Sequence, residues 1–229
     1  MESVLFRKSI TFNGDSICAG DGTPGGYAKI IAERNEMVYE NIAVCGATVV
    51  SGQYSKRTGN PRHWICRTIE RMNADADYAI VEGGVNDASI NVGDPDKLPI
   101  GKLSEGYDAE LDDTTFYGAF ESMLKALVKR FAGKKYGYIA VHQMTKKFSP
   151  CYEGEDNFYV AAKRCCAKWG VPFCDITSTC PPLAFFKKSS DPELIEIGVS
   201  NTKGDGWHPN EIGYKRYYCD KIEAWLKTL

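Results

Sequence analysis

Ser9-Ile10-Thr11-Phe12-Asn13-Gly14-Asp15-Ser16-Ile17 decides how the rest of the chain is read. Ser9 to Asn13 is a short apolar and β-branched run, the composition of a buried strand. Gly14-Asp15-Ser16 follows at once, so a hydroxyl is delivered just past the strand's carboxyl end. A serine hydroxyl is a poor nucleophile until a base takes its proton and an acid steadies that base. The acid and histidine placed to do this, Asp205 and His208, stand three residues apart near the other end of the chain.

Similar runs recur at Met37 to Val44, Tyr78 to Val81, Tyr136 to Val141 and Val171 to Ile176. Segments of helical period separate them. Phe116, Phe120, Met123, Leu124, Leu127 and Phe131 share one face, as do Tyr218, Ile222, Trp225, Leu226 and Leu229. Tyr27 to Arg34, Arg62 to Met72 and Phe158 to Trp169 read as further helices. Strand and helix alternating in this way predict right-handed crossovers and a five-stranded parallel sheet with helices on both faces, an α/β class. Such sheets bind ligands beyond the carboxyl ends of their strands. Ser16, Gly46 and Asn86 each fall a few residues after strands one, two and three, so all three are expected on one edge. Asn91 to Asp113, with an acidic cluster, and Thr179 to Gly204 resist the alternation and are expected as long irregular loops near that edge. The acidic cluster lacks the ligand spacing of a calcium loop and reads as solvated charge.

The 229 residues, 43% of them hydrophobic, suit one domain over 1–229. A net charge of -2 without a basic stripe gives no reason to expect nucleic acid. Nine cysteines, an odd number, fit reduced thiols in a cytosol better than a disulfide framework, and no compact pairing of cysteine or histidine suggests zinc. No apolar run forms a signal h-region or reaches a membrane span. A cytoplasmic chain with no membrane partner, no metal and no cofactor is expected.

In Asp205-Gly206-Trp207-His208-Pro209-Asn210 the glycine lets the carboxylate fold back to one imidazole nitrogen, leaving the other for Ser16. Pro209 disfavours helical geometry at His208, and Asn210 reads as the cap of the final helix. The N–H groups of Ser16 and Gly46 and the amide of Asn86 are donors of the type that stabilises an oxyanion.

Gly14-Asp15-Ser16-Ile17, Gly46 after Asn41 to Cys45, Gly84-Val85-Asn86-Asp87 and Asp205-Gly206-Trp207-His208 together resemble the four blocks of the SGNH hydrolases, the GDSL group of esterases and lipases. The blocks stand in family order and span nearly the whole chain; Ile17 replaces the common leucine. The resemblance implies a flavodoxin-like three-layer α/β/α sandwich, a Ser16, His208, Asp205 triad, and an oxyanion hole from Ser16, Gly46 and Asn86. Asp15 and Asp87 would then be supporting residues that brace their loops.

Gly20-Asp21-Gly22-Thr23-Pro24-Gly25 satisfies a dinucleotide-binding pattern, but it starts well after the strand and contains a proline. Ser122 and Lys125 form Ser-x-x-Lys in mid-helix without its companion motifs, and no Gly-x-Ser-x-Gly elbow occurs. Aromatic residues near the edge, Tyr54, Trp64, Phe148, Tyr152 and Trp207, are candidates to stack on sugar rings. His63, Trp64, His142, Gln143 and Trp207 are the candidate substrate pocket, with Met144 beside them. Polar insertions favour a short-acyl esterase acting on a small-molecule or oligosaccharide ester, with removal of acetyl from carbohydrate as the expected reaction. A lipase or thioesterase for longer chains, or a non-catalytic carbohydrate-binding protein on the same fold, is the alternative.

Overall fold

The computed structural model describes residues 3–55, 58–89, 98–152, 154 and 157–229. Five strands, β1 (Ser9–Asn13), β2 (Val38–Asn41), β3 (Tyr78–Glu82), β4 (Lys135–Ala140) and β5 (Phe173–Asp175), form one sheet in the order β2-β1-β3-β4-β5. Every pairing is parallel. β3 lies at the centre and is buried along its whole length, which is why Tyr78-Ala79-Ile80-Val81 reads as an unbroken apolar run. The strand order reverses between β1 and β3, so the crevice at their carboxyl ends is where such a sheet takes its ligand.

β2 and β5 are shorter than their apolar runs. The side chain of Asn41 accepts from the Ala43 N–H and donates to the Cys18 carbonyl, turning the chain out of the ladder. Asp175 accepts from the Thr177 N–H and starts a tight 3₁₀ turn at Ile176–Ser178. In both, a polar side chain takes over the backbone before the apolar run ends.

Helices α1 (Ser16–Ala19) and α2 (Gly26–Arg34) follow β1, α3 (Ile65–Thr68) precedes β3, and α4 (Phe116–Arg130) and α5 (Phe158–Trp169) flank β4. They surround the sheet in a three-layer α/β/α sandwich. The apolar stripe of α4 packs inward, with Phe116, Phe120, Met123, Leu124 and Leu127 buried. The helix expected over Arg62 to Met72 begins only at Ile65. Backbone bonds from the Thr48 N–H to the His63 carbonyl, and from the Ile65 N–H back to the Thr48 carbonyl, hold residues 62–64 extended.

The long loop expected from Thr179 to Gly204 instead contains α6 (Leu183–Phe186) and α7 (Pro192–Ser200). Asp191 caps α7 through the Glu193 N–H, and Pro192 occupies its first turn, where a missing N–H does no harm. The final helical stretch comprises α8 (Glu211–Gly213), π-type turns at Tyr214–Cys219 and α9 (Asp220–Leu226), capped as expected by Asn210. Its buried Tyr214 and Tyr218 pack on Tyr27 of α2, and Tyr214 donates to the Ile17 carbonyl at 2.8 Å. Among the described residues no helix is long and apolar enough to cross a membrane.

Of the acidic insertion, residues 91–97 lie outside the described residues, and residues 98–113 form neither helix nor strand. That segment is tied down by Glu121, a buried carboxylate of α4. Glu121 accepts from the Ser104 N–H and hydroxyl, from the Trp169 indole and from Lys168. Burial works against its charge, but these donors outweigh burial and hold the carboxyl below its ordinary range. Replacing Glu121 with Ala leaves Lys168 without its counter-charge in a mostly buried position. The expected loss is roughly 3–5 kcal/mol in urea unfolding, and a change under about 1 kcal/mol would contradict this account.

Candidate active site

Ser16 is the first residue of α1, reached by a turn that Asp15 closes when its carboxylate accepts from the Ile17 N–H at 2.9 Å. The N–H of Ser16 therefore falls among those with no acceptor inside the helix. Its hydroxyl lies 3.0 Å from Nε2 of His208, a residue 192 positions further along the chain. Nδ1 of His208 lies 2.6 Å from Asp205 Oδ2. A proton on Nδ1 facing the carboxylate leaves Nε2 as an acceptor, so the serine O–H donates to it.

The loop carrying the acid and base is closed on itself. Thr202 bridges Pro209, and the Lys203 N–H donates to the His208 carbonyl. Gly206 at the apex has φ +77°, and a β-carbon there would press on Leu183 and Lys187. That turn lets Asp205 Oδ1 accept from the N–H groups of both Trp207 and His208 while Oδ2 serves the ring. Partial burial opposes the Asp205 charge, but the ring and the two N–H donors outweigh it and hold the carboxyl well below the ordinary carboxylate range.

Gly46, at φ +76°, and Asn86 line the same cavity as Ser16 and His208, a space of about 540 Å³. The Arg62 guanidinium lies across Gly46 so closely that a β-carbon there would stand 1.8 Å from it. Asn86 donates one amide hydrogen to the Ala47 carbonyl at 2.9 Å, and its geometry leaves a second. Asp87 binds the two loops together, accepting from the Val49 N–H at 3.0 Å and the Val50 N–H at 2.9 Å.

The GDSL-like Lipase/Acylhydrolase family profile matches residues 12–216. The chain belongs to this acylhydrolase family. It is a carboxylic ester hydrolase. No curated protein sequence matches it significantly. Solved structures share the fold of this acylhydrolase. A protein from Lactobacillus plantarum is 21% identical over 97% of this chain and 98% of its own, with a TM-score of 0.70. The lipase/acylhydrolase from Enterococcus faecalis is 16% identical over 96% of each chain, with a TM-score of 0.56. A psychrotrophic esterase from Pseudoalteromonas is 15% identical over 96% and 97%, also with a TM-score of 0.56.

The expected pocket residues of the acylhydrolase divide. Trp207 lines the cavity around Ser16. His63 and Trp64 line an adjoining cavity of about 920 Å³ instead, together with Tyr54, and Arg62 reaches into both. His142 is a correction: it is fully buried, its ring nitrogen 2.5 Å from the Tyr218 hydroxyl, and burial drives its pKa down to about 3. It is a neutral core residue. Met144 rather than Gln143 borders the site. Phe148 belongs to the core and Tyr152 is exposed away from both cavities.

Asp21, Arg62 and Ser89 at the cavity wall were not anticipated. Asp21 Oδ2 lies 3.6 Å from His208 Nε2 and 2.7 Å from Lys203. Its signal was the Gly20 to Gly25 segment, whose glycines serve turns: Gly20, at φ +80°, ends α1 and releases the chain toward the site.

Burial raises the Asp87 carboxyl to about 6 against the pull of its backbone donors. The folded state thus holds a proton that the unfolded chain releases at lower pH, so this group's contribution to stability falls as pH rises from about 4 to about 6. Wild type compared with Asp87→Asn should lose up to about 3 kcal/mol over that interval. Unfolding titrations that run parallel across it would contradict the assignment.

Proposed function

We propose that the chain hydrolyses short acyl esters, acetyl foremost, on polar hydroxylated carriers such as carbohydrates, with Ser16 as nucleophile. His208 takes the Ser16 proton at Nε2 as the oxygen attacks the acyl carbon. Asp205 stays ionised and stabilises the imidazolium that forms. The carbonyl oxygen, now negative, is received by the N–H groups of Ser16 and Gly46 and by the Asn86 amide. His208 then gives its proton to the departing alkoxide, and water repeats the sequence on the acyl-enzyme.

The observation that carries the substrate reading is the charge around the hydroxyl. Asp21 and Arg62 stand in the wall of the Ser16 cavity, where a long acyl chain needs apolar surface. Ile17, Val85 and Met144 supply an apolar side sufficient for a small acyl group. The adjoining cavity, with Tyr54 and Trp64, offers aromatic faces for a sugar on the leaving-group side.

Ser16→Ala should reduce turnover of an acetyl ester at least about a thousandfold, and Asn86→Ala about a hundred- to a thousandfold in kcat. The Pseudoalteromonas esterase is described as inhibited by monoethylphosphonate. A phosphonate of that type should label this chain at Ser16 and nowhere else. Among matched acetyl, butyryl and palmitoyl esters, kcat/KM should be greatest for acetyl, and an acetylated oligosaccharide should release acetate. A palmitoyl optimum would reject the substrate class, and labelling at another residue would reject the nucleophile.

A further inference from the structure

Of the buried acids that take no part in the proposed reaction, Glu82 is the one that reaches the nucleophile turn from another element. Glu82 ends the central strand β3, directly beneath the turn that carries Ser16, and has no solvent exposure. Its Oε2 accepts from the N–H groups of Asp15 and Cys18, each at 3.2 Å, so it clasps the nucleophile turn on either side of Ser16. Gly14 is required by that approach, since a β-carbon there would stand 2.6 Å from the same oxygen. The other oxygen, Oε1, is buried with no hydrogen-bond donor, and so is Oδ2 of Asp15. The two carboxyl groups lie in contact with each other.

Two carboxylates are acceptors only, and two ionised ones side by side out of water repel strongly. One proton resolves both problems, because it turns a pair of orphaned acceptors into a donor and an acceptor. We infer that Glu82 is the positioning residue of the nucleophile turn: held protonated, it donates to the Asp15 carboxylate while its carbonyl oxygen receives the two backbone N–H groups. The other ionisable groups that bear on Glu82 are the thiol of Cys18 on α1 and the phenols of Tyr27 on α2, Tyr138 on β4, and Tyr214 and Tyr218 in the final helix. Thiols and phenols ionise only to anions, and burial keeps these neutral, so none of them supplies a cation to stabilise an ionised Glu82. Burial and the neighbouring Asp15 raise the Glu82 carboxyl well above its ordinary value, in the same direction. The single charge remaining on Asp15 also lies within electrostatic reach of His208.

The inference rests on Ser16 being the nucleophile, but its first readout does not. Infrared spectra of the protein at neutral pH should contain a neutral-carboxyl C=O band that disappears in Glu82→Gln. The amide can donate to Asp15 and accept the two N–H groups, so Glu82→Gln should keep kcat near wild type. Glu82→Leu can do neither, and kcat should fall roughly a hundredfold with KM little changed, the expected result of a misplaced nucleophile. A Glu82 band in the carboxylate region, a Glu82→Gln enzyme as impaired as Glu82→Leu, or a Glu82→Leu enzyme with wild-type kcat would overturn the proposal. If Glu82→Leu does not fold, the band and the Glu82→Gln kinetics decide it. Failure of Ser16 to take the phosphonate label would reject the assigned nucleophile while leaving the shared proton to stand or fall on the infrared result.

Discussion

The contact between the Ser16 hydroxyl and the His208 ring is the constraint from which the rest of this structure follows. Proton transfer needs the two atoms at hydrogen-bond distance, here 3.0 Å, yet they come from opposite ends of the chain. Local structure cannot provide this; packing must. The final helix does so by burying Tyr214 and Tyr218 against Tyr27 and by tying the Tyr214 hydroxyl to the Ile17 carbonyl, one residue from Ser16. At the rim Arg34 of α2 pairs with Asp220 and Glu223. Exposed pairs of this kind contribute little, so the buried tyrosines, with the Tyr214 hydroxyl on Ile17 and the Tyr218 hydroxyl on His142, carry the register.

The active edge is also where the molecule departs from an economical core. Asp15, Glu82 and Asp87 are buried carboxyl groups gathered at the carboxyl ends of β1 and β3. Each accepts backbone N–H groups from a loop bearing a candidate catalytic residue: Asp15 and Glu82 hold the Ser16 turn, and Asp87 holds the segment after Gly46. Loops have no ladder to satisfy their N–H groups, and apolar side chains cannot do it for them. Carboxyl oxygens, each able to accept twice, can fix three loops from within, at the expense of desolvation that pushes all three acids toward protonation.

That division explains what could be read from the residues alone. The order of strands and helices was legible because burial imposes a period on every element: β3 is continuous apolar, and α4 repeats its phenylalanines on one face. Ser16, Gly46 and Asn86 were legible as candidates because each follows a strand by a few residues, and parallel topology puts such positions on one edge; Asp205 and His208, far beyond β5, were legible only from their own three-residue spacing. Element ends were less so, since Asn41 and Asp175 terminate β2 and β5 by side-chain bonds that hydrophobic pattern does not register. α6 and α7 were missed because prolines at 181, 182 and 192 read as loop, although Pro192 in fact opens a helix.

The substrate side was the least legible part, for a related reason. Its walls come from Asp21, Arg62 and Trp207, residues of connecting segments whose direction is set by turns and long-range bonds rather than by any period. Pro61-Arg62-His63-Trp64 illustrates the difficulty. His63 and Trp64 look like the informative residues by type, yet in a segment without a period residue type does not say which cavity a side chain lines. Arg62 reaches over Gly46 into the Ser16 cavity, while His63 and Trp64 face the adjoining one. The Arg62 guanidinium, beside Gly46, is thus the side chain that borders both cavities. The rigid half of the site, built on strand ends, accounts for ester chemistry in general, and this loop-built half is where selection among esters must reside.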